Sequence, residues 1–188
     1  MKKLLLSVSM LFYSALLFAQ ANDKNGAPVI PVMLPTNDIV KNISLIPNMS
    51  RFASFIRKTN LMRTYTSRGP ITVFVPVDEG YTDMPAGKLD SLSKPGYIWD
   101  LTDLVTYHAL AGEYKLKEIR KQINKHKGVA TFTTLSGGIL TAKFDSNSNI
   151  ILVDANGGEI MINQPDIAQN NGIIHVVNKV LIPKKRVI

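Results

Sequence analysis

Thr72-Val-Phe-Val-Pro-Val-Asp-Glu-Gly-Tyr81 and Gly172-Ile-Ile-His-Val-Val-Asn-Lys-Val-Leu-Ile-Pro183 decide how this chain folds. Each is a β-branched run that stops at a proline, and proline, having no N–H to give a ladder, marks where a buried strand leaves its sheet. Ile71 to Val75 therefore reads as one buried strand and Gly172 to Ile182 as the last strand, the two meeting in a shared core. Asp78, just past Pro76, is placed to cap the short turn that follows.

Helical periods flank the first strand. Ile39, Val40, Ile43 and Ile46 predict a short helix before Pro47. Ser50 opens a second, with Phe52, Phe55, Ile56, Thr59 and Met62 on one face at i, i+3, i+4 and i+7. Pro85-Ala-Gly and Lys94-Pro95-Gly96 mark loops around one helical turn. Ile98, Leu101, Leu104, Val105 and His108 then form a stripe, with Asp100 and Asp103 at the helix N-terminal end and Gly112 closing it. From Gly128 the period becomes two. Val129–Leu135, Gly138–Phe144, Asn149–Val153 and Gly158–Ile162 read as short strands, with Ser136-Gly137-Gly138 and Asn156-Gly157 as hairpin turns. The sum is one α+β domain, helices first and a mostly antiparallel β meander later.

The two motifs, with Leu104-Val-Thr-Tyr107-His108-Ala-Leu110 between them, resemble a fasciclin-like domain of the fasciclin/beta-Ig-H3 family. Thr133-Thr-Leu-Ser-Gly-Gly-Ile-Leu-Thr141 is similar to the family's central hairpin, and Gln164-Pro-Asp-Ile-Ala-Gln-Asn-Asn-Gly172 to its approach to the final strand. The resemblance covers nearly all of residues 37–183 and depends on the order of these segments. Val75 and Val77 stand where the family often has a small residue and a threonine. The resemblance implies a wedge or sandwich of N-terminal helices on a β-sheet, in a single-domain secreted adhesion module. In animal matrix members, integrin adhesion has been ascribed to a Tyr-His segment and an Asp-Ile pair. The matching positions are Tyr107-His108 and Asp166-Ile167, where packing at a helix end and a turn after Pro165 offer structural roles instead.

Lys2, Lys3 and the apolar stretch Leu4–Phe18, followed by Ala19-Gln20-Ala21, form a secretory signal of bacterial type cleaved near Ala21. Export puts the mature protein in the periplasm, at the cell surface or outside the cell. The signal is too short for a membrane span, which takes about 20 apolar residues. Residues 22–36, with Pro28, Pro31 and Pro35, read as an extended arm or linker, and residues 184–188 as a basic tail. The chain of 188 residues carries 22 basic and 14 acidic residues, net +8; removing residues 1–21 takes Lys2 and Lys3 and leaves +6. On an exported chain that balance suits acidic glycans, acidic proteins or membrane surfaces, not nucleic acid.

Lys115-Leu-Lys-Glu-Ile-Arg-Lys-Gln-Ile-Asn-Lys-His-Lys127 is the most distinctive local feature. Leu116, Ile119 and Ile123 face inward on a helix, while Lys117, Arg120, Lys121 and Lys125 project outward and Glu118 alone opposes them. This face is the candidate contact surface for anionic polysaccharide or an acidic surface protein. No cofactor or metal is expected. Cysteine is absent, the three histidines (His108, His126, His175) do not cluster, and no nucleophile elbow, dinucleotide fingerprint or phosphate loop appears. Asp145-Ser-Asn-Ser-Asn149 lacks the glycine and glutamate of a calcium loop and reads as a polar hairpin tip. The sequons at Asn42 and Asn48 are incidental. The expectation is a non-catalytic interaction module. The alternative is a carrier of a small apolar ligand, such as the carotenoids that some fasciclin-like proteins bind, although the aromatics form no special cluster.

Overall fold

The computed structural model of the protein describes residues 32–185. The signal sequence, residues 22–31 of the arm and residues 186–188 of the tail lie outside the described residues. The elements run α1 (Ile39–Leu45), α2 (Ser50–Lys58), α3 (Met62–Thr66), β1 (Ile71–Pro76), α4 (Lys88–Leu92), α5 (Ile98–Tyr107), β2 (Ala109–Ala111), α6 (Leu116–Lys125), β3 (Val129–Thr133), β4 (Ile139–Phe144), β5 (Ile150–Val153), β6 (Glu159–Gln169) and β7 (Gly172–Val177). Single 3₁₀ turns span Pro47–Met49, Asp78–Tyr81 and Pro95–Tyr97.

The seven strands lie in the order β2-β1-β7-β6-β5-β4-β3. Every pair is antiparallel except β1 with β7, which run parallel from Ile71 opposite Gly172 to Pro76 opposite Val177. The sheet curls until its ends touch: Leu110 bridges Thr134, and the Leu135 N–H donates to the Ala109 carbonyl at 2.8 Å. This α+β wedge has two cores. Val73 and Val75 of β1 and Ile174 and Val176 of β7 face a helical layer containing Phe52, Phe55, Ile56, Leu101 and Leu104. Phe74 faces the interior of the curl with Leu140, Leu152, Ile160, Ile119 and Ile123. Covered on both sides, β1 and β7 are buried at every position. That is why both read as unbroken apolar runs.

The structure corrects five local expectations. Asp78 does not cap its own turn; its carboxylate accepts from Ser50 Oγ at 2.8 Å and the Arg51 N–H at 3.1 Å, capping α2 from across the chain. Met62 is not on the α2 face, because the chain leaves the helix at Thr59, turns through Asn60 at φ 56 and restarts as α3. Gly112 closes β2, since α5 already ends at His108, whose N–H donates to the Val105 carbonyl, and Ala109–Ala111 pairs with β1. The strand expected to stop at Ile162 continues to Gln169. Register shifts between Ile162 and Ile167 absorb Pro165, which has no donor, and Asp166, at φ 58. β7 stops at Val177, because Asn178 turns aside and exchanges two bonds with Met161, through its own N–H and its Oδ1.

Candidate functional site

α6 begins where its apolar period begins. Ile119 and Ile123 are buried in the curl and Leu116 packs beside them, so the helix lies on β3 and β4 as a lid whose other face is free. It ends where Lys127 (φ 58) and Gly128 (φ 103) reverse the chain and the Gly128 N–H returns to the Ile123 carbonyl at 2.9 Å. Lys117, Arg120, Lys121 and Lys125 are all exposed. Lys117, Lys121 and Lys125 recur every four residues, so they form a slanting row with about 6 Å of rise per step. None of the three has an ion-pair partner among the described residues. Arg120 stands apart, its guanidinium 4.9 Å above the Phe144 ring and donating to the Ser148 carbonyl at 3.4 Å. Lys115 is paired with Glu113 at 3.1 Å, and that hydrogen bond and charge raise its pKa.

Asp166 meets this helix at its first turn. Its Oδ1 accepts from the Leu116 N–H at 2.9 Å, and its own N–H donates to His175 Nδ1 at 3.2 Å. His175 Nε2–H in turn donates to the Tyr114 carbonyl at 2.8 Å, and its ring stacks on Phe74 with centroids 5.3 Å apart. Burial lowers the pKa of this imidazole. The carboxylate remains partly exposed, at 39%, while Ile167 packs into the helical-layer core.

Tyr107 and His108 lie elsewhere, beneath the surface. Tyr107 is fully buried, its hydroxyl donating to the Ile139 carbonyl at 2.6 Å; burial pushes the phenol up to about 12. His108 is also fully buried; Nδ1–H donates to the Leu104 carbonyl at 2.8 Å and Nε2 accepts from the Leu181 N–H at 3.0 Å. Thus the four basic residues and Asp166 share one region, while Tyr107 and His108 tie α5 to the sheet. Asn42 is also fully buried, bonded to Asn37, Leu34 and Gln169, so its sequon is closed in the folded chain; Asn48 is exposed. Asp145 accepts from the Asn147 and Asn149 N–H groups, both at 2.8 Å, making the polar hairpin tip. Among the described residues no group of three or more His, Asp or Glu could hold a metal, and no helix is long and apolar enough to cross a membrane.

A family profile for the fasciclin domain matches residues 47–183, most of the chain. The chain belongs to the fasciclin family. Fasciclin-domain relatives include Protein sll1483 of the cyanobacterium Synechocystis, 25% identical over 71% of this chain and 67% of its own length. Mouse stabilin-2 is 28% identical over 74% of this chain, and human periostin 28% identical over 72%. Those matches span only 5% and 15% of the two animal proteins. The FAS1 domain pair of the insect cell adhesion molecule Fasciclin I superposes with a TM-score of 0.65 at 20% identity. It covers 78% of this chain and 51% of that one, and it shows the shared fold.

The sequence reading of this fasciclin domain missed a groove of about 530 Å³ beside α5. Leu92, Leu104, Leu135 and Ile182 line it with Lys184 and Lys185, and Trp99, the only tryptophan of the chain, stands at its edge 78% exposed. One signal was present: Trp99 falls off the apolar stripe of α5, where a large ring has no core to enter. His175 reads as isolated in the sequence because Tyr114 is 61 residues away and Asp166, nine residues away, reaches it only through the turn between β6 and β7.

Proposed function

We propose that this fasciclin domain is an exported, non-catalytic interaction module that binds an anionic polysaccharide or an acidic surface or matrix protein through α6. One observation carries this reading: Lys117, Lys121 and Lys125 lie exposed and unpaired among the described residues, on a helix whose other face is anchored in the core. An unneutralised row on a fixed support keeps its field directed outward and gains from an oppositely charged partner, with a strength that falls as salt rises. Arg120 widens the face and Asp166 and Ile167 border it; Tyr107 serves binding through the core it shares with Ile119 and Ile123, while His108 acts through α5, packed against Phe52. Replacing Lys117, Arg120, Lys121 and Lys125 with glutamate is expected to abolish salt-sensitive retention on an immobilised acidic polysaccharide. The thermal transition should remain cooperative. Retention unchanged by the four substitutions would remove α6 from this role.

The groove beside α5 favours a second reading, the carrying of a small apolar ligand, since its volume falls within the range of small-molecule sites. Trp99 makes a built-in reporter. Titration with a long-chain fatty acid is expected to shift tryptophan emission to the blue, with the response lost in Trp99→Phe. Emission that stays constant to the solubility limit would set the carrier reading aside.

A further inference from the structure

We propose that Asp166 is a positioning residue that fixes the first turn of α6, and with it the direction of the Lys117–Lys121–Lys125 row. The proposal builds on the basic-face reading but has a test of its own. The first four N–H groups of a helix have no partner inside it. At α6 the preceding residue, Lys115, supplies no side-chain cap. The Leu116 N–H is taken instead by the Asp166 carboxylate, from a strand 50 residues later. That carboxylate is held in turn. Asp166 sits at φ 58, in a conformation a non-glycine residue seldom adopts, and its N–H is tied to the buried His175 of β7. His175 is locked by Phe74 of β1 and by the carbonyl of Tyr114, two residues before α6 starts. The chain entering α6 and the cap receiving it are thus both referred to one buried ring. The charged groups near this joint include the Asp166 carboxylate, 3.8 Å from His175 Nδ1, Lys115, paired with Glu113, and Glu118, which also acts on Lys115.

Two substitutions separate positioning from simple charge. Asp166→Asn and Asp166→Gly each remove one negative charge, and both residues tolerate a positive φ. Only asparagine keeps an oxygen to receive the Leu116 N–H. Electrostatics alone predicts that both variants bind a polyanion at least as tightly as the parent. Positioning predicts that Asp166→Asn does so while Asp166→Gly binds several-fold more weakly. The probe is dextran sulfate at fixed pH and low salt, read beside amide exchange at Leu116, bonded to Asp166, and at Ile119, whose N–H closes the first turn on the Lys115 carbonyl. Loss of the cap should speed exchange there roughly fivefold in Asp166→Gly alone. Equal binding and equal exchange in the two variants would overturn the proposal. If the parent does not bind dextran sulfate, the basic-face reading falls, and the exchange comparison still decides whether Asp166 fixes α6.

Discussion

His108 makes two hydrogen bonds that only a neutral imidazole can make together, donating from Nδ1 to Leu104 and accepting at Nε2 from Leu181. A proton on Nε2 would face the Leu181 N–H inside the core, and burial accordingly lowers the pKa to about 4. An unfolded histidine titrates near 6.5. Between these values the unfolded chain binds a proton that the folded chain refuses, so the stabilisation is complete above pH 6.5 and is lost as pH falls toward 4. The full shift corresponds to about 3 kcal/mol. His175, also lowered by burial, acts in the same direction. Urea midpoints of the parent should therefore drop steeply from pH 7 to pH 4.5. His108→Asn, though less stable at pH 7, should show a shallower slope; an unaltered slope would mean that another group carries the pH dependence. The sequence put His108 on the apolar stripe of its helix, but not its acceptor role, because Leu181 lies 73 residues away.

Among the elements, those whose signals are local were legible. The apolar period of α6 and its outward cations read directly from Lys115–Lys127, since i and i+4 neighbours share a face whatever the rest of the chain does. The start of α2 at Ser50 was equally plain, yet its cap is Asp78, 28 residues on, and no local rule could supply it. Asp78→Ala should remove that cap and cost about 1 kcal/mol of stability, read from denaturant unfolding. An unchanged midpoint would show that solvent satisfies the first turn equally well. β6 was read short for a related reason. Proline and a left-handed residue are turn signals in isolation, and only a neighbour such as β7 can carry a strand past them as a bulge.

For the whole molecule, the class and most strands were legible, but not the short β2, the second half of β6 or the strand order, because pairing depends on which edges meet in space. β1 and β7 approach so closely that a Cβ on Gly172 would lie 1.9 Å from the Ile71 carbonyl oxygen. Gly172→Ala should force the two strands apart and cost several kcal/mol, about 3 or more. A melting temperature within a few degrees of the parent would show that the strands can yield. The same pairing sets a timetable. Ile71 and Gly172 are 101 positions apart, so β1, buried at every position, leaves the ribosome long before its main partner exists. Until then β1 has only the three-residue β2 beside it, and its apolar faces await cover. A topology of such high contact order folds late and slowly. A nascent chain halted before Gly172 should remain a client of chaperones rather than a smaller version of the finished domain.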